Sequence, residues 1–196
     1  MKKLAIFSSG AGSNTARIID HFRRHPSIHI QLIVCNNPNA GVLGIASKEH
    51  IPILLIEKER FFRGDAYLPE LNRQQIDFIV LAGFLWKVPA ALVQAYPRRI
   101  INIHPALLPK YGGKGMYGHF VHEAVIAAGE KESGISIHYV DEHYDHGQVL
   151  FQQKIAIEPD DTPETLAKKV RDLEHHHFPR VIEELVKSTL KMPPAN

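Results

Sequence analysis

Cysteine is nearly absent: Cys35 is the one thiol in 196 residues, set at the end of the apolar stretch 30–34. That excludes a disulfide framework and a cysteine-rich zinc site, and it argues for a reducing, intracellular setting. Charge of one sign is missing too. A net charge of +2 with histidine neutral leaves no field suited to nucleic acid or an anionic membrane, so a bound anion needs a local site. Long hydrophobic runs are also lacking. Nothing approaches the ~18 apolar residues of a membrane span, and the apolar part of the start, Met1–Phe7, holds about five residues where a signal peptide uses about 7–15. Internal repeats, low-complexity tracts and linkers are absent as well. A chain of 196 residues that is 44% hydrophobic and 22% charged fits one domain, 1–196, with a sizeable core.

What is present alternates. Leu4–Phe7 reads as a buried strand, followed by a glycine loop and a helix from Asn14 to Arg24. Strands then follow at 28–35, 52–56, 77–82 and 100–103, separated by helices at 42–50, 65–75 and 89–96. Strands alternating with helices imply right-handed crossovers and a Rossmann-like, mostly parallel sheet in a three-layer α/β/α domain. The grammar changes after residue 104. Residues 109–118 hold four glycines and no periodicity, so they read as a loop, and His119–Ala128 as a helix. The stretches 135–140 and 149–157 form strands joined tightly enough for an antiparallel C-terminal hairpin. Thr162 and Pro163 open a long last helix whose stripe Leu166, Val170, Leu173, His177, Val181 and Leu185 is expected to face the core. Residues 191–196 read as a frayed tail.

The stretch Ile100-Ile-Asn-Ile-His-Pro carries the chemistry. Asn102 and His104 alternate and so share one face of a strand end. Pro105 stops the strand and leaves the imidazole at its carboxyl edge, where open α/β sheets bind ligands. An amide suits a developing oxyanion, and an imidazole can donate, accept or carry charge near neutral pH. Asp145, in the turn signal Tyr-Asp-His-Gly, can bring a carboxylate to the same crevice and favour the charged ring.

Ser9-Gly-Ala-Gly-Ser-Asn14 after the first strand lacks the third glycine of a dinucleotide fingerprint, and the second strand ends Cys35-Asn-Asn with no acidic residue for a ribose. It reads either as a site for a single phosphate on free helix amides or as a plain tight turn. Arg171 and Glu174 share a face of the last helix, which alone reads as a solvated pair. Phe84 and Trp86 alone read as core. Three adjacent histidines on a helix, His175–His177, point to different sides and chelate poorly. With His119, His122, His143 and His146 they lead to the expectation of no metal.

Asn102-x-His104-Pro105, then Leu107-Leu-Pro109, then Asp145-x-Gly147 resembles the signature of the folate-dependent formyltransferases, and the likeness runs from Lys3 to about Leu190. The resemblance implies transfer of a formyl group from 10-formyltetrahydrofolate to the amine of phosphoribosylglycinamide in purine biosynthesis, in the cytoplasm, by a monomer or homodimer working on small molecules. By the same likeness Asn102, His104 and Asp145 are catalytic. Gly12, Ser13, Asn14, Arg171 and Glu174 hold the phosphoribosyl acceptor. Arg63, Leu85, Trp86, Lys87, Val88, Asn102, Val140, Asp141 and Asp145 meet the folate. Residues 1–100 would supply the phosphate-binding half and 101–190 the catalytic and folate-binding half. Departures from the family pattern are Ala106, His146 and a longer loop 110–120. Relatives acting on methionyl-tRNA, a nucleotide sugar or water stand as alternatives, with a non-catalytic folate- or phosphate-binding module. The tRNA enzymes are expected to need a further basic domain and the deformylases an amino-terminal regulatory one.

Overall fold

A computed structural model describes residues 1–190, so the expected tail at 191–196 lies outside the described residues. Seven strands form one sheet: β1 (Lys2–Ser8), β2 (Ile28–Cys35), β3 (Ile53–Leu55), β4 (Phe78–Leu81), β5 (Ile100–His104), β6 (Glu132–Tyr139) and β7 (Val149–Ala156). Their order is β3-β2-β1-β4-β5-β6-β7. The first five pair in parallel, whereas β6 runs antiparallel to β5, and β7 antiparallel to β6. The expected mixed architecture holds. Strand order reverses at β1, which lies between β2 and β4, and such a switch point opens a crevice at the carboxyl edge.

Alternation within β1 explains the three layers. Leu4 and Ile6 point into one cluster with Ile18, Phe22, Val121, Val125, Leu166 and Val170, while Ala5 and Phe7 point into another with Phe61, Leu71, Leu92 and Tyr96. Both faces of the strand are covered, which is why it reads as a continuous apolar run. The first layer is built from α1 (Ser13–Phe22), α2 (Gly41–Lys48), α6 (His119–Ala127) and α7 (Pro163–Leu190); the second from α3 (Lys58–Phe62), α4 (Leu68–Arg73) and α5 (Ala90–Ala95).

Two expectations need correction. The helix at 65–75 is confined to 68–73, and the short α3 precedes it unannounced. Helix α3 has five residues and lacks a side-chain cap, so local sequence marks it weakly. In α7 the fully buried residues are Leu166, Val170, Phe178, Ile182 and Val186, while Leu173, Val181 and Leu185 only flank the core. The spacing is four throughout, and the position that completes it between Val170 and Phe178 is Glu174. A search for apolar residues steps over a carboxylate and slips one place to Leu173 and His177.

Candidate active site

A cavity of about 660 Å³ opens where the carboxyl ends of β4 and β5 meet the amino end of α1, the loop before α6 and the side of α7; Asn14, Asn102, His104, Asp145, Arg171 and Glu174 all line it. Both ends of the proposed ligand set therefore share one space.

Asn102 and His104 close β5 as expected, and the antiparallel partner sets what faces them: Asn102 lies opposite His138 and His104 opposite Ser136. Asp145 reaches both groups from the β6–β7 connection. Its Oδ1 accepts from Asn102 Nδ2 at 3.3 Å, its Oδ2 lies 3.6 Å from His104 Nδ1, and Oδ2 also accepts from the Gly113 N–H at 3.0 Å. Asp145 holds a left-handed backbone, φ 52°, rare for a residue with a side chain and in keeping with a carboxylate aimed by its surroundings. Burial pushes its carboxyl up, but His138, His104 and the Gly113 N–H outweigh that and hold it below the ordinary carboxylate range.

The imidazole departs from expectation. His104 Nε2 lies 2.7 Å from the carbonyl of Tyr111. A carbonyl only accepts, so Nε2 carries the hydrogen and Nδ1 is the bare nitrogen. Burial lowers the His104 pKa, with His138 adding to the fall, and the attraction of Asp145 and the Tyr111 carbonyl does not make up the difference. Burial thus disfavours the charged ring that the sequence implied: desolvation of a residue only 3% exposed outweighs a carboxylate 3.6 Å away.

His138 escaped notice in the sequence. Its Nδ1 donates to the Tyr139 carbonyl at 2.8 Å, and its Nε2 lies 3.1 Å from Asn102 Nδ2 and 3.5 Å from Asp145 Oδ1. The Asn102 amide is thus committed to Asp145 and His138 together. The available signal was polar Ser136 and His138 on alternate positions of the apolar run 135–140, the counterpart of Asn102 and His104. Ser136 ties the segment after β5 in place, donating to the Ala106 carbonyl at 2.6 Å and accepting from the Leu108 N–H at 2.9 Å.

At the other end, Gly12 takes φ 81° at the start of α1, and a Cβ there would fall 2.9 Å from Val42, so only glycine lets the loop pack and turn. The helix has no side-chain cap, which leaves its first amides free for an anion. Ser13 is exposed at that end, and Asn14 gives its Nδ2 to Glu174 Oε2 at 2.8 Å, while its buried Oδ1 has no partner among the described residues. Burial raises the Glu174 carboxyl to about 7, against the pull of Asn14 and Arg171. Arg171 is exposed on the cavity wall. His122, on α6, also lines the cavity. Its buried Nδ1 has no partner among the described residues, and burial, Arg171 and His104 lower its pKa to about 4.

The folate assignments divide. Gly83, Phe84 and Leu85 border the cavity, and the turn is bound to the glycine loop: Ser9 donates its N–H to the Gly83 carbonyl and accepts from the Leu85 N–H, both at 3.0 Å. Trp86 packs against Phe61, Phe62 and Phe84, and Val88 is buried in the same cluster. Lys87 lies 6.0 Å from the Tyr144 ring. Arg63, Gly12, Ser13, Trp86, Lys87, Val88, Val140 and Asp141 are not among the lining residues; Arg63 is exposed, and Val140 donates its N–H to Ile100 at 3.0 Å. Among the described residues no helix is long and apolar enough to cross a membrane.

A family model described as formyl transferase matches residues 2–182. The chain is 41% identical over 197 residues to the chloroplastic phosphoribosylglycinamide formyltransferase of Arabidopsis thaliana, covering 97% of this chain and 67% of that one. It is 36% identical to phosphoribosylglycinamide formyltransferase of Bacillus subtilis (strain 168), with 95% of each covered. The crystal structure of phosphoribosylglycinamide formyltransferase from Bacillus halodurans matches with a TM-score of 0.87 at 35% identity, over 96% of this chain and 97% of that one. The chain thus spans about two thirds of the plant relative's length and nearly all of the bacterial ones.

Proposed function

The chain belongs to the formyl transferase family, and we propose that it moves the formyl group of 10-formyltetrahydrofolate to the amine of phosphoribosylglycinamide, a step of purine biosynthesis. The observation that carries this reading is the double reach of Asp145, 3.3 Å from the Asn102 amide and 3.6 Å from the His104 ring, in a cavity that also holds Glu174 and Arg171.

In the proposed reaction the neutral amine attacks the formyl carbon, forming a C–N bond and a tetrahedral intermediate with charge on oxygen. Nδ1 of neutral His104 takes the amine's proton. The imidazolium that results faces Asp145, so this carboxylate acts mainly once the ring is charged, which favours the intermediate over the bound substrates. Asn102 gives one amide hydrogen to the oxyanion in exchange for a contact it makes in the free protein. The bond from carbon to N10 of the folate then breaks, N10 receives the proton from His104, and tetrahydrofolate leaves. Holding the two reactants side by side supplies much of the remaining acceleration.

Glu174 accepts from the ribose hydroxyls, and Arg171 with the amides at Gly12, Ser13 and Asn14 takes the phosphate. The turn around Leu85 and the backbone of Val140, Asp141 and Asp145 read the folate. Trp86, Lys87 and Val88 take part through that turn and its packing, and Arg63 meets the glutamate tail of the folate. A cytoplasmic monomer or homodimer goes with the reading. The test mixes purified protein with 10-formyltetrahydrofolate, with and without phosphoribosylglycinamide, and follows loss of the formyl donor. Loss that needs the acceptor supports the reading; loss without it indicates a hydrolase, and binding with no loss indicates a binding module.

A further inference from the structure

We propose that Asp141, His143 and His146 form a site for a divalent transition-metal ion of the zinc, cobalt, nickel or copper type, and that its occupation slows the reaction by acting on Asp145; the second half rests on the formyl-transfer reading. The three residues lie on the β6–β7 connection, and one ligand atom from each falls within 4.8 Å of the others. His146 Nδ1 stands 3.4 Å from Asp141 Oδ2 and His143 Nδ1 3.9 Å from Oδ1. The His143 N–H donates to Asp141 Oδ1 at 2.7 Å, which fixes the carboxylate between the two rings.

The donor set selects the ion. Two imidazoles and one carboxylate suit borderline ions, whereas magnesium and calcium want oxygen ligands. Around zinc, bonds of about 2.0–2.1 Å place tetrahedral ligand atoms about 3.3 Å apart. The carboxylate–imidazole separations already approach this, and the rest, from at most 4.8 Å, asks for about 1.5 Å of ring movement or less. Both imidazole side chains are three-quarters exposed, so the rings can turn without displacing core. Water completes the sphere. The reasoning that sets aside three consecutive histidines on a helix does not reach a His-x-x-His pair in a loop, where no regular twist separates the rings.

The coupling follows from chain order. Asp145 sits between the two histidine ligands, so one ion held by both closes a ring through its backbone. Its carboxylate depends on contacts of 3.0 Å to the Gly113 N–H and 3.3 Å to Asn102. Drawing His143 and His146 together bends the turn that aims it.

Titrating the purified protein with zinc or cobalt ions in a calorimeter needs no substrate, so this arm decides the site whatever the reaction proves to be. The expected result is one ion per chain, with visible absorption for cobalt, and binding weakened by about tenfold or more in His143→Ala and in His146→Ala because a protein ligand is gone. In the formyl-transfer assay the wild-type protein should slow over the same concentration range and recover with a chelator. Both variants should match its metal-free turnover and resist the ion. Absence of saturable binding, binding unchanged in both variants, or undiminished wild-type turnover with the ion bound would each overturn the proposal.

Discussion

Glu174 accepts a 2.8 Å hydrogen bond from Asn14, 160 residues earlier in the chain. The pair joins the start of α1 to the middle of α7 and places a carboxyl raised to about 7 beside an amide oxygen that has no partner among the described residues. Polar atoms left short inside a cavity are a reserve for a ligand. A ribose hydroxyl donating to Glu174 and its neighbour donating to the Asn14 oxygen would satisfy both.

That carboxyl sets a pH dependence. Because its folded value lies above the ordinary 4.5, the stability it contributes is full below 4.5 and is lost as pH rises through about 7. Glu174→Gln should therefore raise stability, and with it the melting temperature, by no more than about 1 kcal/mol near pH 5 and by about 3 kcal/mol near pH 8. Thermal melts of the ligand-free protein at the two pH values check this; an equal shift at both would refute it.

The position of the buried stripe gives a second test. Phe178 is fully buried, so Phe178→Ala should cost about 3–5 kcal/mol. His177→Ala removes a partly exposed ring stacked 4.9 Å from Phe151 and should cost about 1 kcal/mol or less. Denaturant unfolding followed by circular dichroism compares the two. The reverse order would restore the stripe through His177.

His104 offers a third. Its ring should titrate below the ordinary 6.5, because burial outweighs the neighbouring carboxylate. In Asp145→Asn the midpoint should fall further, since the contribution that raises it is removed. Histidine resonances followed by NMR, with His104 assigned by its loss in His104→Asn, report both values. A midpoint above 6.5 would mean that the charged ring dominates in the free protein.

How much of this was legible in sequence depended on whether the signal was local. Asn102, His104 and the stop at Pro105 lie within four residues, and Asp145 announces its own turn, so the meeting of these three side chains in one cavity could be read directly. His138 could not, because its role comes from the pairing of β6 with β5, which no short window encodes. Glu174 was visible as a residue but not as the missing position of its stripe. The lowered pKa of His104 depends on burial, and the hydrogen on its Nε2 on the Tyr111 carbonyl, both products of tertiary structure. The alternation of strands and helices reached the whole architecture, whereas the five-residue α3 left too little pattern to find.

The most direct test of the account is steady-state formyl transfer by Asp145→Asn, which keeps the size of the side chain and removes its charge. The turnover number should fall by about a hundred- to a thousand-fold, with KM for both substrates little changed, because the carboxylate acts on the charged ring formed during reaction. Near-normal turnover, or a loss confined to KM, would contradict it.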